Sequence, residues 1–110
     1  MTTRVGPDPL DSIFGALSDP TRRQVIKALV ADGPETATGL ARDLPISRQA
    51  VVKHLHALDA AGLVEAERVG REVRFRATTA PLADVTGWVA TVGEEWDERL
   101  DRLARRAKRS

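Results

Sequence analysis

The chain has no cysteine and no tyrosine, and only two tryptophans and two phenylalanines among its 110 residues. Without thiols it forms no disulfide and offers no thiolate metal site, a composition compatible with a reducing interior. No apolar run approaches a membrane span, and no basic-then-apolar signal segment opens the chain. The expectation is therefore a cytoplasmic protein without a membrane partner. Catalytic equipment is also missing. Only two histidines occur, and neither a G-x-S-x-G motif nor a phosphate-cradling glycine loop is present. No two groups are spaced for acid–base work, so the chain is not read as an enzyme. Excess charge is lacking too: 17 basic residues face 16 acidic ones, for a net charge of +1. Any case for nucleic acid must rest on where the charges sit.

What is present is one domain's length of chain with 42% apolar residues, enough for one core. Residues 1–7 are polar and end in Gly6-Pro7, which predicts a frayed tail. Asp8-Pro9 reads as an N-cap with proline at the first helical position. Leu10, Ile13, Phe14 and Leu17 follow at i, i+3, i+4, i+7, an amphipathic helix. Asp19-Pro20 repeats the start signal. The second helix turns Val25, Ile26, Leu29 and Val30 inward, with Arg22, Arg23 and Lys27 largely outward, and Asp32-Gly33-Pro34 ends it. The arginine pair reads as a solvated face, with phosphate contact or packing as the alternatives. Thr36 caps a short third helix, Ala37 to Asp43, that buries Leu40 and Ala41. Leu44-Pro45-Ile46 then breaks the chain, because proline disfavours helical geometry in the residue before it.

The next stretch organises the rest. Ser47 is an N-cap and Gly62 a stop, which predicts a helix from Arg48 to one turn past Leu58. At about 100° per residue, Val51, Leu55 and Leu58 share one apolar face, with Ala50, His54 and Ala61 beside it. Gln49, Val52, Lys53 and His56 lie opposite, and Arg48 sits at the boundary. The run from Ser47 to Leu58 holds two permanent cations and no acid. A helix anchored on one side, with short donors and cations on the other, fits a DNA major groove. Taken alone it is equally an ordinary solvated helix. A helix, a short break and a helix is the spacing of a helix-turn-helix.

After Gly62 the period changes to two. Leu63–Val69 and Glu72–Ala77 flank Gly70-Arg71, which suits a two-residue type II′ hairpin. Val73, Phe75 and Ala77 share one strand face, and Arg74 and Arg76 the other. The hairpin reads as a wing with Arg71 at its tip, placed for a narrow minor groove or a phosphate. A charged edge that resists aggregation is the plain alternative. Pro81 opens a long last helix. Leu82, Val85, Trp88, Val89, Val92, Trp96, Leu100, Leu103 and Ala107 fall within about a third of its circumference. From Pro81 to Ala107 it would rise roughly 40 Å, more than a compact domain of this size needs. A stripe that long needs a second surface. The first helix is its natural companion, which predicts a symmetric homodimer. The interface would use Leu10, Ile13, Phe14 and Leu17 from the first helix. The last would contribute Leu82, Val85, Val89, Val92, Trp96, Leu100 and Leu103. Trp88 and Trp96 read as dimer core, or else as the walls of a ligand pocket.

Taken together, Leu17-Ser18-Asp19-Pro20-Thr21-Arg22-Arg23, Ile46 to Leu55, Ala61-Gly62-Leu63-Val64 and Arg68-Val69-Gly70-Arg71 resemble the ArsR/SmtB family of bacterial winged-helix repressors. The match covers roughly residues 10–80. Trp88, Trp96 and Arg99–Leu103 resemble a branch lacking the usual metal sites. The resemblance implies a mainly α fold with a small β-hairpin: a winged helix-turn-helix of five helices plus a two-stranded wing, dimerising through the first and last helices. It implies a tail over 1–7, a DNA-binding core over 8–80 and a dimerisation helix over 81–108. It also implies a homodimer that binds a double-stranded operator and represses transcription. The recognition positions it implies are Ser47, Arg48, Gln49, Val52, Lys53 and His56, with Arg71 in the wing. Arg74 joins them on the second wing strand, and Thr36 and Thr38 would hold phosphate at the third helix's N-terminus.

The departures from the family pattern bear on sensing. The helix before the turn reads Leu40-Ala41-Arg42-Asp43-Leu44, without the cysteine pair of many metal sensors, and the last helix holds Asp84 but no histidine. No regulatory metal or cofactor is expected; a small organic effector between the long helices, or none, is. His54 and His56 point about 160° apart on a helix, so they do not chelate as an i, i+4 pair would. His54 is read as packed and hydrogen-bonded, His56 as facing outward. The alternative to DNA binding is a winged-helix protein-interaction module. The exposed face of the fourth helix argues against it, since Val52 is its one sizeable apolar group.

Overall fold

The computed structural model describes residues 8–109, so the tail expected over residues 1–7 lies outside the described residues. The elements run α1 (Pro9–Leu17), α2 (Pro20–Asp32), β1 (Glu35–Thr36), α3 (Ala37–Asp43), α4 (Arg48–Ala60), β2 (Val64–Val69), β3 (Glu72–Ala77) and α5 (Ala80–Arg109).

Short polar side chains start the first four helices, as their sequences require. Asp8 Oδ1 accepts from the Leu10 N–H at 2.9 Å and Asp19 Oδ1 from the Thr21 N–H at 2.7 Å. Thr36 Oγ1 accepts from Gly39 N–H at 3.0 Å, and Ser47 Oγ from Ala50 N–H at 3.1 Å. Each contact satisfies a donor that the helix itself leaves unpaired. At the far end of α4, Gly62 takes a φ of 75°. Its N–H reaches the Asp59 carbonyl at 2.9 Å, while the Leu63 N–H reaches Leu58 at 2.9 Å. This Schellman stop turns the chain directly into the hairpin.

The hairpin pairs Val64 with Ala77 and Val69 with Glu72, leaving Gly70-Arg71 as its two-residue turn. Gly70 has a φ of 62°, whereas no described non-glycine residue has positive φ. That places glycine at the first central position of a type II′ turn. The wing is not limited to two strands. β1 pairs with β3, Glu35 opposite Phe75 and Thr36 opposite Arg74, giving the antiparallel order β1-β3-β2. The third strand ties the start of α3 to the wing.

The core lies where α1 to α4 meet the base of the sheet. Val25, Leu29, Leu40, Val51, Leu55, Leu58, Leu63 and Val64 are buried, and Phe75 and Ala77 pack on them from one face of β3. Ile13, assigned to the dimer interface, is 2% exposed inside this core. Leu17, Leu82 and Val85 also pack against the core rather than standing free for a partner. Val30, expected inward, is exposed at the last turn of α2, and Ala41 is only partly covered. Arg22 and Arg23 are not simply solvated. Arg22 Nη1 donates to the Gly15 and Ala16 carbonyls at 3.4 and 3.5 Å, and Arg23 Nη1 to the Leu17 carbonyl at 2.5 Å. They cap the C-terminal end of α1, whose carbonyls lack helical partners and favour cations. His54 is packed as expected, but its buried Nδ1 has no hydrogen-bond partner among the described residues.

Asp19 sits at this junction. The Arg22 N–H, and more weakly the Thr21 N–H and the His54 and Arg22 charges, hold its carboxyl below the ordinary value of 3.8 against a desolvation that raises it. A depressed folded-state value stabilises the fold fully above 3.8, and that contribution is lost as pH falls through the lower folded value. Thermal melts taken between about pH 6 and pH 2.5 should show Asp19→Asn with a shallower acid limb than the parent chain. Parallel acid limbs would show that the Asp19 charge contributes nothing.

α5 departs from this compact body. Its 30 residues include none that is buried. The molecule measures 70 × 37 × 21 Å, with a radius of gyration of 19.4 Å, well above the roughly 13 Å usual for about 100 residues. Among the described residues no helix is long and apolar enough to cross a membrane.

Candidate nucleic-acid interface

Burial of Val51, Leu55 and Leu58 fixes the roll of α4 about its axis. Gln49, Lys53 and His56 then stand exposed on its opposite side, as the period requires. Val52 is only half exposed, because it also packs against the core. Ser47 spends its hydroxyl oxygen on the Ala50 N–H. Arg48 is steadied by its neighbour helix: its Nε donates to Thr38 Oγ1 at 3.1 Å.

The wing folds back beside this helix. Thr36, Thr38, Arg48, Val52 and Arg71, distant in sequence, line one open cleft of about 570 Å³, together with Val73 and Phe75. Arg42 lines it too, and sequence reasoning passed it over. The signal was present: two positions past inward-facing Leu40, a side chain on a helix points outward. The remaining candidates fall elsewhere. Arg74 is engaged by Glu72 at 3.2 Å and does not line the cleft. Beside it on the same outer face, Arg76 pairs with Glu65 at 2.5 Å across the hairpin, and the Glu65 carboxylate raises its already high pKa. The N-terminus of α3 already has acceptors. The Glu35 carboxylate takes the Thr36 N–H at 2.7 Å and Thr36 Oγ1 takes that of Gly39. The Glu35 carboxyl group also fills the space where a Cβ on Gly39 would project. Thr38 lines the cleft with its hydroxyl oxygen accepting from Arg48 Nε.

The second candidate surface is α5. Trp88, Val89, Val92, Trp96, Leu100 and Leu103 form an exposed apolar stripe. Phe14 of α1 joins it, its ring edge-on to Trp88 with centroids 5.5 Å apart. Half-buried Leu10 faces the same helix across a shallow, open groove lined by Ala83, Gly87, Trp88 and Thr91. Contiguous apolar surface of this kind marks an association site. His54 and His56 lie on different sides of α4, and no group of three His, Asp or Glu suited to a metal occurs among the described residues.

A helix-turn-helix followed by a β-hairpin wing defines the winged helix-turn-helix class. A helix-turn-helix domain model matches residues 17–67. The transcriptional repressor SdpR of Bacillus subtilis is 30% identical over 91 residues, spanning 83% of this chain and all of that protein. An ArsR-like transcriptional regulator from Rhodococcus sp. RHA1 superposes with a TM-score of 0.76 at 46% identity, covering 86% of this chain and 89% of its own. The homodimeric winged helix-turn-helix DNA-binding domain Mb0332 from Mycobacterium bovis does so with a TM-score of 0.63 at 25% identity, covering 86% and 92%. The chain belongs to the ArsR family of winged helix-turn-helix transcriptional regulators.

Proposed function

We propose that two copies of the chain, joined through α1 and α5, bind a duplex operator and repress transcription. One observation carries the reading. Arg48 and Val52 of α4 line one open cleft with Arg71 of the wing, Gln49, Lys53 and His56 stand exposed on α4, and the apolar stripe of α5 is left uncovered. A two-fold axis through that stripe would set the two α4 helices into successive major grooves, about 34 Å apart. Within each half-site Gln49 has the paired acceptor and donor that adenine requires, and Lys53 and His56 reach guanine or phosphate. Val52 presents only part of its side chain to a thymine methyl. Ser47 adds a short polar contact at the start of α4. Arg71 enters the flanking minor groove, and Arg74, paired with Glu72, contributes weakly.

Residues 8–80 would thus be the DNA-binding core and 81–108 the dimerisation helix. Leu82 and Val85 join the two, and the partner contacts begin at Trp88. A small organic effector would sit in the shallow, open groove between the start of α1 and α5, beside Trp88 and Gly87.

Titrations on operator and scrambled duplexes at several salt concentrations test the reading. Gln49→Ala should lose about 1–3 kcal/mol of discrimination at one base step. Arg71→Ala should weaken both duplexes alike and flatten the salt dependence. Equal affinity of the parent chain for both duplexes would remove the sequence-specific operator. An effector would show in the same titrations as a changed affinity; affinity that no small molecule moves would remove it.

A further inference from the structure

The cleft between α3, α4 and the wing concentrates positive charge. Arg42, Arg48 and Arg71 all line it, over an apolar floor of Val52, Val73 and Phe75. Its single lining acid, Glu72, is taken by Arg74 at 3.2 Å. Among the described residues Arg42 and Arg71 form no ion pair. Arg48 has its Nε committed to Thr38 at 3.1 Å, which leaves its two terminal nitrogens as a steadied fork.

The grooves of a duplex explain why guanidinium groups would gather there. If α4 occupies a major groove and the wing tip the adjacent minor groove, one sugar–phosphate strand separates them. That strand must pass between α4 and the wing, along this cleft. We propose that the cleft seats the strand, that Arg42 holds one of its phosphates, and that Arg48 grips a neighbouring phosphate instead of reading a base. The apolar floor meets deoxyribose. Guanidinium forks match phosphate oxygens in pairs, and such contacts position a protein without carrying sequence information. The inference rests on the operator-binding reading and adds Arg42 to it.

The test uses the full chain, with operator and scrambled duplexes titrated across salt. Each phosphate contact contributes a slope of about −0.9 in log affinity against log salt. A dimer loses two contacts with Arg42→Ala, so its slope should be shallower by about 1.8 on both duplexes. Between about 50 and 200 mM salt the parent chain should then lose about tenfold more affinity than the variant. The preference for operator over scrambled duplex should not change. Arg42→Lys should keep the slope, which separates charge from any disturbance of α3. Lys27→Ala, on the outer side of α2, should leave it unaltered. A parent slope retained by Arg42→Ala would overturn the phosphate assignment while operator binding stands. A parent chain that binds neither duplex would overturn both.

Discussion

Replacing Trp96 with glutamate is expected to yield a folded monomer that has lost operator binding. Trp96 is 58% exposed in the single chain and lies two helical turns beyond the ring contact between Phe14 and Trp88. The core of one protomer should not register its loss. In a two-fold interface each substitution counts twice, removing an aromatic anchor and burying a charge. At about 2 kcal/mol or more per anchor, the dimer should weaken by about a thousandfold. A monomer also forfeits the effective concentration that delivers the second α4 to its half-site, a further factor of about 10²–10⁴ in apparent affinity. Val30→Glu is the matched control, because Val30 is 57% exposed yet sits on α2, away from the stripe. Sedimentation should give a monomer for Trp96→Glu and the parent mass for Val30→Glu. If both sediment as dimers, α5 is not the joint.

The second large effect concerns folding. Leu55 is fully buried on the inner face of α4, among Val51, Leu58 and the other core residues. Leu55→Ala removes the contacts that hold α4 at its angle and leaves a cavity costing about 2–5 kcal/mol. Small domains have only about 5–15 kcal/mol in total. The melting temperature should fall by at least about 8 °C, since each kcal/mol moves it by roughly 4–8 °C in a domain of this size. Gln49→Ala, on the outer face of the same helix, should melt with the parent chain. Equal melting of all three proteins would mean that α4 is not anchored as described.

These outcomes separate what local chemistry dictates from what tertiary packing decides. The starts of α1 to α4 could be read directly, because Asp8, Asp19, Thr36 and Ser47 bond within their own first turns. The roll of α4 was equally legible, since its period alone separates Leu55 from Gln49. The hairpin followed from a two-residue glycine turn between alternating strands. β1 could not be read: Glu35-Thr36 is too short to show a period, and its pairing depends on backbone groups of β3.

The apolar stripe of α1 marked what must be covered but not by what. Ile13 turned out to serve its own core and Phe14 the surface shared with Trp88. The same holds along α5, where Leu82 and Val85 pack on the core and the stripe beyond them stays open. Arginines were the hardest to place, because a long side chain can reach an acceptor on another element. Arg22 and Arg23 cap α1, whereas Arg42 and Arg48 of the adjoining α3 and α4 share a cleft with Arg71 because the wing folds beside them.

The central claim is that two protomers present two α4 helices at one duplex repeat. Hydroxyl-radical footprinting on a fragment selected from the source genome tests it most directly. Two protected windows related by symmetry, centred about 10 base pairs apart, with two protomers per duplex, are expected. A single protected window occupied by one protomer would contradict it.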